Sequence, residues 1–265
     1  CHGTAVIDRN TILVALRIWI GITIALSVVA MKWASLRVAP LHGEELRSFI
    51  WSPALAVSSW RKRRPFASTW LRKSLIELVL LSIAVVTSWY LYLNLVPGFR
   101  PSTWEQGYIG AVPLYLLVHL LSLFVGLAFA ASGWIFPAHM RWPFLASSID
   151  EFWGRRWATW VSDWCRQVIF GRYRRQPLFG AFVVFVASGV WHEVLIDVPL
   201  LAIYGINVVG GWLLYFAIQA VGAALERLVF NRPSPFSRLY AWAVIVLPAP
   251  LALNEATLRA IGLYV

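Results

Sequence analysis

Six apolar runs, most of them about 20 residues long, constrain the fold of this chain more than any other feature. A helix of that length crosses the hydrocarbon core of a bilayer, which is roughly 30 Å thick. Because backbone polar groups in lipid must be satisfied internally, the runs predict helices and therefore an all-α polytopic membrane protein. The predicted spans are Thr11–Met31, Ser74–Leu95, Tyr108–Ala130, Leu178–Ile196, Leu200–Leu225 and Leu239–Leu253.

The composition favours the same class. Hydrophobic residues make up 60% of the chain and charged residues only 13%, against about 25% charged in a soluble domain. The net charge is +11, but the basic clusters flank apolar spans, so they indicate cytoplasmic loops rather than nucleic-acid binding. Two cysteines are too few for a disulfide framework or a Cys-x-x-Cys metal site. Because the chain begins with Cys1 rather than Met, we expect a missing N-terminal segment, with a processed, lipid-modified cysteine as the alternative.

Basic and non-basic loops alternate along the chain. Segment 32–73 holds nine basic and two acidic residues, and segment 131–177 holds seven basic and three acidic residues. The intervening loop 96–107 holds one of each. The positive-inside rule predicts that both long segments are cytoplasmic and that the N-terminus before the first span lies outside. The apolar stretch Phe49–Trp60 is too short to cross, and we interpret it as interfacial or re-entrant.

The fourth span carries two adjacent ionisable residues at its end. No charged residue occurs from Leu178 to Trp191, and His192 and Glu193 then follow. Ionisable groups at membrane depth are expensive and are functional candidates by default. A neutral, desolvated imidazole accepts a proton from a hydroxyl, which is the task of a general base. The alternative that the residues leave open is an imidazole that only hydrogen-bonds a neighbouring helix.

Three further ionisable residues lie inside predicted spans. Arg17 and Glu77 are expected to snorkel or to form a structural ion pair with each other. His119 is expected to be a core histidine, with a cavity-facing position as the alternative. No role is assigned to the histidines outside the spans, which are His2, His42 and His139.

The segment before the histidine span contains a predicted cytoplasmic helix. Ser148 and Glu151 have the spacing of a capping box, so a helix is expected to begin near Ile149. Helical spacing places indoles on one face and polar side chains on the other, which predicts an amphipathic helix at the membrane interface. The indoles are Trp153, Trp157, Trp160 and Trp164, and the opposite face holds Arg155, Thr159, Ser162 and Arg166. Arginines of this segment would lie at the cytoplasmic mouth of the histidine span, where they are expected to bind the phosphates of an anionic substrate.

Two motifs occur in order around the start of the fourth span. Residues 148–157 read Ser-Ile-Asp-Glu-Phe-Trp-Gly-Arg-Arg-Trp, and residues 188–193 read Ser-Gly-Val-Trp-His-Glu. Together they resemble the wax synthase branch of the membrane-bound O-acyltransferase superfamily. In that branch a Phe-Trp-Gly-Arg-Arg-Trp motif on the cytoplasmic side precedes an apolar span with Ser-Gly-x-x-His-Glu. The resemblance covers roughly residues 141–196.

The resemblance implies transfer of a fatty acyl group from acyl-CoA to the hydroxyl of a long-chain alcohol, giving a wax ester. It implies a helical bundle with an internal substrate tunnel, His192 as the catalytic residue, and acyl-CoA, a lipid-soluble alcohol and the bilayer as partners. No cofactor or metal is expected, because thioester acyl transfer needs none and a His-Glu pair makes a poor zinc site. The residues expected at the acyl-CoA mouth are Arg155, Arg156, Trp153 and Trp157, and the expected supporting residues are Glu151, Ser188 and Glu193.

One position departs from the branch. Many members carry Asn or His directly after the second Trp of the first motif, where this chain has Ala158. If that polar residue positions the substrate, its role is lost here or passes to a neighbour such as Thr159. Glu193 points about 100° from His192 on a helix, so we expect it to be a structural partner, with an arginine of the preceding segment as the candidate.

Residues 1–265 are expected to form a single integral membrane domain with a motif-bearing core at 131–196. Alternatives to a wax ester product are acyl transfer to a sterol or to another lipid hydroxyl. A non-enzymatic alternative is a proton-coupled transporter that uses the His-Glu pair. A second acidic residue at matching depth or an internal repeat would favour the transporter, and neither is evident in the sequence. A third alternative is a degenerate paralogue with a structural role, which the departure at Ala158 keeps open.

Overall fold

The computed structural model describes residues 9–205, 207–230 and 234–265, so Cys1 and His2 lie outside the described residues. The structure is 77% helical with almost no sheet. Six helical segments in the described ranges are long and apolar enough to cross a membrane, which confirms the predicted all-α polytopic class. They are Val14–Val38, Ser68–Phe99, Thr103–Ala130, Pro177–Ala202, Gly211–Val229 and Pro235–Ala252.

Shorter helices and one small antiparallel sheet connect the spans. The α-helices are α1 (Arg9–Val38), α2 (Gly43–Ile50), α3 (Val57–Arg61), α4 (Ser68–Phe99), α5 (Thr103–Ala130), α6 (Ile149–Glu151), α7 (Thr159–Cys165), α8 (Pro177–His192), α9 (Val198–Tyr204), α10 (Gly211–Val229), α11 (Pro235–Val246), α12 (Ala249–Ala252) and α13 (Glu255–Ile261). π-Helical segments follow α6, α7 and α8 at Phe152–Arg156, Arg166–Phe170 and Glu193–Asp197. The strands are β1 (Arg64–Pro65) and β2 (Trp134–Ile135).

The fourth span is longer than predicted because a π-helical segment joins α8 to α9. This segment, Glu193–Asp197, continues the helix without a turn. The chain turns later, where Gly205 and Gly210 have φ values of +69° and +103° that favour glycine. The fifth span therefore begins at Gly211, later than predicted. The predicted break between the fourth and fifth spans, at residues 197–199, is wrong, because Asp197 is fully buried within the fourth span.

The predicted amphipathic helix is interrupted at the end of the first motif. Trp157 is extended, and Ala158 adopts the left-handed region with φ +45° and ψ +49°. The preceding loop binds the chain at this point, because Thr159 donates its backbone N–H to the His139 carbonyl at 2.9 Å and its hydroxyl to the Ala138 carbonyl at 2.7 Å. The prediction of one continuous helix with an indole face is therefore wrong. The Thr159 hydroxyl is used in a hydrogen bond that holds the fold.

The short apolar stretch 49–60 forms the end of α2, a turn and α3. Lys32 of α1 donates to the carbonyl oxygens of Phe49 and Ser52 at 2.8 and 2.7 Å. The Phe49 carbonyl belongs to the last turn of α2 and the Ser52 carbonyl to the turn that follows, so Lys32 binds the end of this helix. Ser59 of α3 donates to the Asp163 carboxylate of α7 at 2.6 Å. The stretch thus joins α1 to the segment that follows the first motif.

The packing of α8 against α10 positions the candidate site. A Cβ atom at Gly189 of α8 would lie 2.9 Å from the Cα atom of Leu213, so a glycine is needed for the two helices to approach this closely. These two spans are more buried than the first three, whose aliphatic side chains are largely exposed in a way that suits contact with lipid. The end of α8 therefore lies against a neighbouring span rather than facing lipid on all sides.

Candidate active site

His192 ends α8, and its own helix sets the hydrogen position on its ring. The Nδ1 atom lies 2.7 Å from the carbonyl oxygen of Ser188, one turn earlier. Because a carbonyl oxygen only accepts hydrogen bonds, Nδ1 carries the hydrogen, and Nε2 of the neutral ring keeps its lone pair. Within the part of the chain that the structure describes, no protein group hydrogen-bonds Nε2. The ring therefore presents a proton acceptor that the fold does not use.

Aromatic rings surround this imidazole. Trp212, in the first turn of α10, stacks on it with 4.3 Å between ring centroids and 20° between ring planes. Phe216, one turn later, lies 5.2 Å away. The Trp212 indole N–H donates to the Thr257 hydroxyl at 3.2 Å, which fixes the stacked ring from its far side. The direction of Nε2 is thus set by packing as well as by Ser188.

Glu193 anchors α10 to α8. Its Oε1 accepts a hydrogen bond from the Leu213 backbone N–H at 3.0 Å. Backbone N–H groups in the first turn of a helix lack internal partners, and a carboxylate there is favoured by the helix dipole. Its partner is therefore a backbone amide rather than the expected arginine. Oε2 is buried and has no hydrogen-bond partner among the described residues.

Asp197 is a buried acidic residue that lies just beyond the predicted end of the fourth span at Ile196. It lies one helical turn after Glu193, and its Oδ2 accepts a hydrogen bond from the Asn254 side chain at 3.1 Å. The i, i+4 spacing indicates that Glu193 and Asp197 share a helix face. The predicted fourth span ends at Ile196 and so leaves Asp197 out. A second carboxyl therefore lies within the same span, about 6 Å along the helix axis from the first.

Glu151 organises the first motif. The Ser148 hydroxyl oxygen accepts a hydrogen bond from the Glu151 backbone N–H at 2.9 Å, which confirms the predicted helix start at Ile149. The Glu151 carboxylate does not complete a capping box with Ser148; it accepts hydrogen bonds from the N–H and hydroxyl of Ser147, at 2.8 and 2.6 Å. Arg156 donates to the same carboxylate at 2.6 and 2.7 Å. Burial acts to raise the pKa of Glu151, but the bonds from Ser147 and Arg156 outweigh it and lower the pKa to about 2.

The two arginines of the first motif have different surroundings. Arg156 is half-buried and also donates to the carbonyl oxygens of Arg141 and Trp142, at 3.1 and 3.4 Å. Its guanidinium is thus occupied in holding the loop around the first motif. Arg155 is exposed and forms no ion pair with the carboxylates that the structure describes.

Trp153 brings the first motif to the histidine. Its indole N–H donates to the Gln219 side chain of α10 at 3.1 Å. Its ring centroid lies 5.4 Å from that of Phe216, which itself contacts His192. One phenyl ring therefore separates Trp153 from the imidazole. The two motifs, distant in sequence, converge on the same face of α10.

Trp157 instead packs near Tyr115 of α5, which in turn lies beside His119. Its ring lies 6.3 Å from that of Tyr115, whose hydroxyl lies 3.2 Å from Nδ1 of His119. Nε2 of His119 lies 3.4 Å from the Glu77 carboxylate. His119 is buried with both nitrogens partnered, as expected for a core histidine. Glu77 pairs with this histidine, so the expected pairing with Arg17 is wrong.

His139 lies beside this cluster, between α5 and the first motif. Its ring stacks obliquely against Trp160, with 4.6 Å between centroids. Its Nδ1 is buried without a hydrogen-bond partner in the described ranges. Burial, and secondarily the nearby His119, lower the pKa of His139 to about 4. It is therefore neutral at physiological pH.

Comparisons with known proteins place these motifs in context. The chain is 33% identical over 143 residues to the probable long-chain-alcohol O-fatty-acyltransferase 7 of Arabidopsis thaliana, a match that covers 49% of this chain and 42% of that protein. It is 31% identical over 93 residues to the probable long-chain-alcohol O-fatty-acyltransferase 3 of the same plant, covering 31% of this chain and 27% of that protein. The resemblance to the wax synthase branch is confirmed. No protein-family model matches the chain.

A third relative, the probable long-chain-alcohol O-fatty-acyltransferase 9 of Arabidopsis thaliana, is 36% identical over 63 residues. This match covers 20% of the chain and 18% of that protein. The chain thus spans less than half of the length of each curated relative described here.

Proposed function

We propose that this protein is an O-acyltransferase that transfers a fatty acyl group from acyl-CoA to a long-chain alcohol, giving a wax ester. The observation that carries this proposal is the unused Nε2 lone pair of His192, held by the Ser188 carbonyl and by the Trp212 stack. The similarity to curated long-chain-alcohol O-fatty-acyltransferases supports the reaction class.

The chemistry follows from that lone pair. Nε2 of His192 accepts the proton of the alcohol hydroxyl while the alcohol oxygen attacks the thioester carbonyl carbon. A C–O bond forms, the C–S bond breaks, and the departing CoA sulfur takes the proton back from the imidazolium. A positioned base of this kind contributes typically about 10²–10⁴ in rate. We expect no metal or cofactor, because each bond change is a proton or acyl transfer.

The other site residues act through position. Ser188 sets the hydrogen on Nδ1 of His192, and Glu193 holds the start of α10, which carries the stacked Trp212. Trp153 closes the side of the site that faces the first motif. The remaining residues of the acyl-CoA mouth in this proposal are Arg155, Arg156 and Trp157, with Glu151 as the support that orders them.

The membrane setting completes the proposal. Acyl-CoA reaches the site from the cytoplasm, where segments 32–73 and 131–177 lie, and the alcohol arrives from the lipid phase. A tunnel between the spans accommodates the acyl chain. The motif-bearing core at 131–196 belongs to a single membrane domain in this view.

One observation favours a second candidate function. Asp197 is a second carboxyl beside Glu193 within the fourth span, which is the feature expected of a proton-coupled transporter. Both carboxyls, however, bind groups that hold helices together, the Leu213 amide and the Asn254 side chain. A structural role for the pair accounts for these contacts.

The proposal is tested with purified protein in detergent and labelled palmitoyl-CoA. The acceptors are long-chain alcohols, a sterol and a diacylglycerol, and lipid products are resolved by chromatography. We expect the parent to form wax ester and His192→Ala to lose at least 100-fold in rate. His42→Ala is the matched control, because that side chain is exposed and forms no capping bond.

Each result bears on the function. If the parent and His42→Ala form ester and His192→Ala does not, His192 is supported as the base, and the preferred acceptor identifies the alcohol class. Ester at equal rates from all three proteins contradicts the base assignment. No ester from a parent that melts in a sharp transition contradicts the acyltransferase proposal.

A further inference from the structure

A basic turn precedes the helix that carries His192. Arg172, Arg174 and Arg175 line an open cavity of about 490 Å³, together with Gly171, Tyr173 and Gln176. No acidic residue lines this cavity. The arginines expected at the acyl-CoA mouth from the sequence, Arg155 and Arg156, do not line this cavity.

The turn is held in a defined shape. The N–H groups of Arg172, Tyr173 and Gln176 donate to carbonyl oxygens three residues earlier, at 2.9, 3.1 and 2.8 Å. Gly180 of α8 lies under the turn, and a Cβ atom there would come within 3.1 Å of the Tyr173 side chain and 3.2 Å of the Phe170 ring. The three arginines therefore project from backbone that is packed against the first turn of α8.

The charges in this turn have no carboxylate partner in the described parts of the chain. Among the residues that the structure describes, none of the three guanidinium groups lies within ion-pair distance of a carboxylate, whereas Arg156 is bound to Glu151. Three like charges in four positions repel one another, and a bound anion would offset this repulsion. Planar guanidinium groups bind phosphate oxygens through paired N–H donors, which makes phosphate the anion that they fit best.

The surroundings indicate an amphipathic ligand. Leu178, Phe179 and Phe182 follow the turn directly and are 46%, 49% and 48% exposed. The cavity thus lies where polar surface meets the apolar surface of a membrane span. His192 lies on the same helix, about 22 Å along its axis from Pro177, a separation that an extended phosphopantetheine arm approaches.

We propose that Arg172, Arg174 and Arg175 form a binding site for the phosphate groups of an amphipathic ligand. Two sources carry this chemistry: the CoA head of the acyl donor, which rests on the proposed function, and the headgroup of an anionic phospholipid, which does not. In either case this turn, rather than Arg156, supplies the principal phosphate contacts.

The test compares the parent with the triple variant Arg172→Gln, Arg174→Gln, Arg175→Gln. The control variant Arg72→Gln, Lys73→Gln, Arg238→Gln removes the same number of positive charges from exposed positions elsewhere. Binding of CoA is measured by calorimetry in neutral detergent at low and high salt. Melting temperatures are measured in the same detergent with added phosphatidylglycerol or with phosphatidylcholine.

We expect the triple variant to bind CoA at least tenfold more weakly than the parent, with a reduced salt dependence, while the control stays within twofold. That result identifies CoA as the source. If CoA binding is equal but the stabilisation by phosphatidylglycerol is lost only in the triple variant, the site binds lipid headgroups. Equal CoA binding and equal lipid stabilisation in all three proteins overturn the proposal.

The outcome is separable from that of the acyl-transfer assay. Arginine-dependent CoA or lipid binding without ester formation leaves the phosphate site standing while the proposed function fails. Ester formation by the parent, together with unchanged CoA and lipid binding in the triple variant, supports the proposed function and overturns the phosphate site.

Discussion

The Trp212 indole stacks on the His192 imidazole, with ring centroids 4.3 Å apart. This contact joins the first turn of α10 to the last turn of α8, so the orientation of a candidate base depends on helix packing. The Ser188 carbonyl on the same imidazole fixes which nitrogen carries the hydrogen. Together the two contacts define both the direction and the protonation pattern of Nε2.

Removing the stack is expected to slow catalysis. Trp212→Ala lets the imidazole rotate and reduces the rate of ester formation at saturating substrate by about 10- to 100-fold, because small misplacements of a reacting group are costly. Trp212→Phe keeps a stacked ring and retains most of the rate. Trp51→Ala, at an indole that is 79% exposed, is the control. A folded Trp212→Ala protein with the parental rate contradicts a positioning role.

Enlarging Gly189 is expected to separate α8 from α10. The Cβ atom of Gly189→Ala lies 2.9 Å from the Cα atom of Leu213 unless the helices move, and such overpacking costs about 1–3 kcal/mol. We expect a lower melting temperature and a lower rate of ester formation. Gly126→Ala, whose added methyl meets nothing within 4 Å, is the matched control and should melt at or above the parental temperature. Equal melting of both variants contradicts the close approach.

Relieving the backbone at Ala158 is expected to stabilise the protein. Its φ of +45° is unfavourable for a residue with a Cβ atom, and glycine adopts this region freely. We expect Ala158→Gly to raise the free energy of unfolding by about 1 kcal/mol, and Ala158→Asn to give a smaller gain because Asn tolerates the left-handed region. Ala128→Gly, within α5, should have the opposite sign. A loss of stability in Ala158→Gly would show that the turn has another conformation.

Glu151 is expected to stabilise the first motif at neutral pH and not in strong acid. Its pKa is lowered to about 2, so its contribution is complete above the unfolded pKa of about 4.3 and is lost as the pH falls through about 2. Glu151→Gln should therefore cost up to about 3 kcal/mol at pH 7 and progressively less below pH 4. Denaturant unfolding at several pH values measures this. Glu44→Gln, at an exposed ion pair, should change little at any pH.

His139 is expected to destabilise the protein as the medium becomes mildly acidic. Its pKa is lowered to about 4, so the unfolded chain takes up a proton first, and stability falls as the pH drops from about 6.5 to about 4. The size of this loss is about 3 kcal/mol. His139→Phe keeps the ring contact with Trp160 and should remove the decline in this window. A variant that retains the parental pH dependence assigns it to another group.

Local sequence patterns predicted the spans and the first helix start well. Apolar runs of spanning length identified all six membrane helices, and the Ser148 cap marked the beginning of α6. These features depend on neighbouring residues only, since hydrophobic length and capping are local properties. The same patterns failed where a distant segment intervenes. Thr159 bonds to the loop at Ala138, and this contact breaks the helix that the indole spacing predicted.

The candidate site shows the same division. Its motifs predicted His192 as a candidate base and Glu151 as a candidate support, because an ionisable residue in an apolar run, a capping spacing and the resemblance to the wax synthase branch can all be recognised without a fold. The sequence alone did not reveal that Phe216 lies between Trp153 and His192, nor that Glu77 pairs with His119.

The sequence by itself thus determined the class of the protein, the six helices of spanning length in the described residues, and the residue that is the candidate base. The tertiary structure alone decided where the fourth span ends and, within the described ranges, which nitrogen of His192 is left without a partner and which arginines have no carboxylate beside them. These properties depend on contacts between residues far apart in the chain, and a local pattern carries no information on which helix faces will meet.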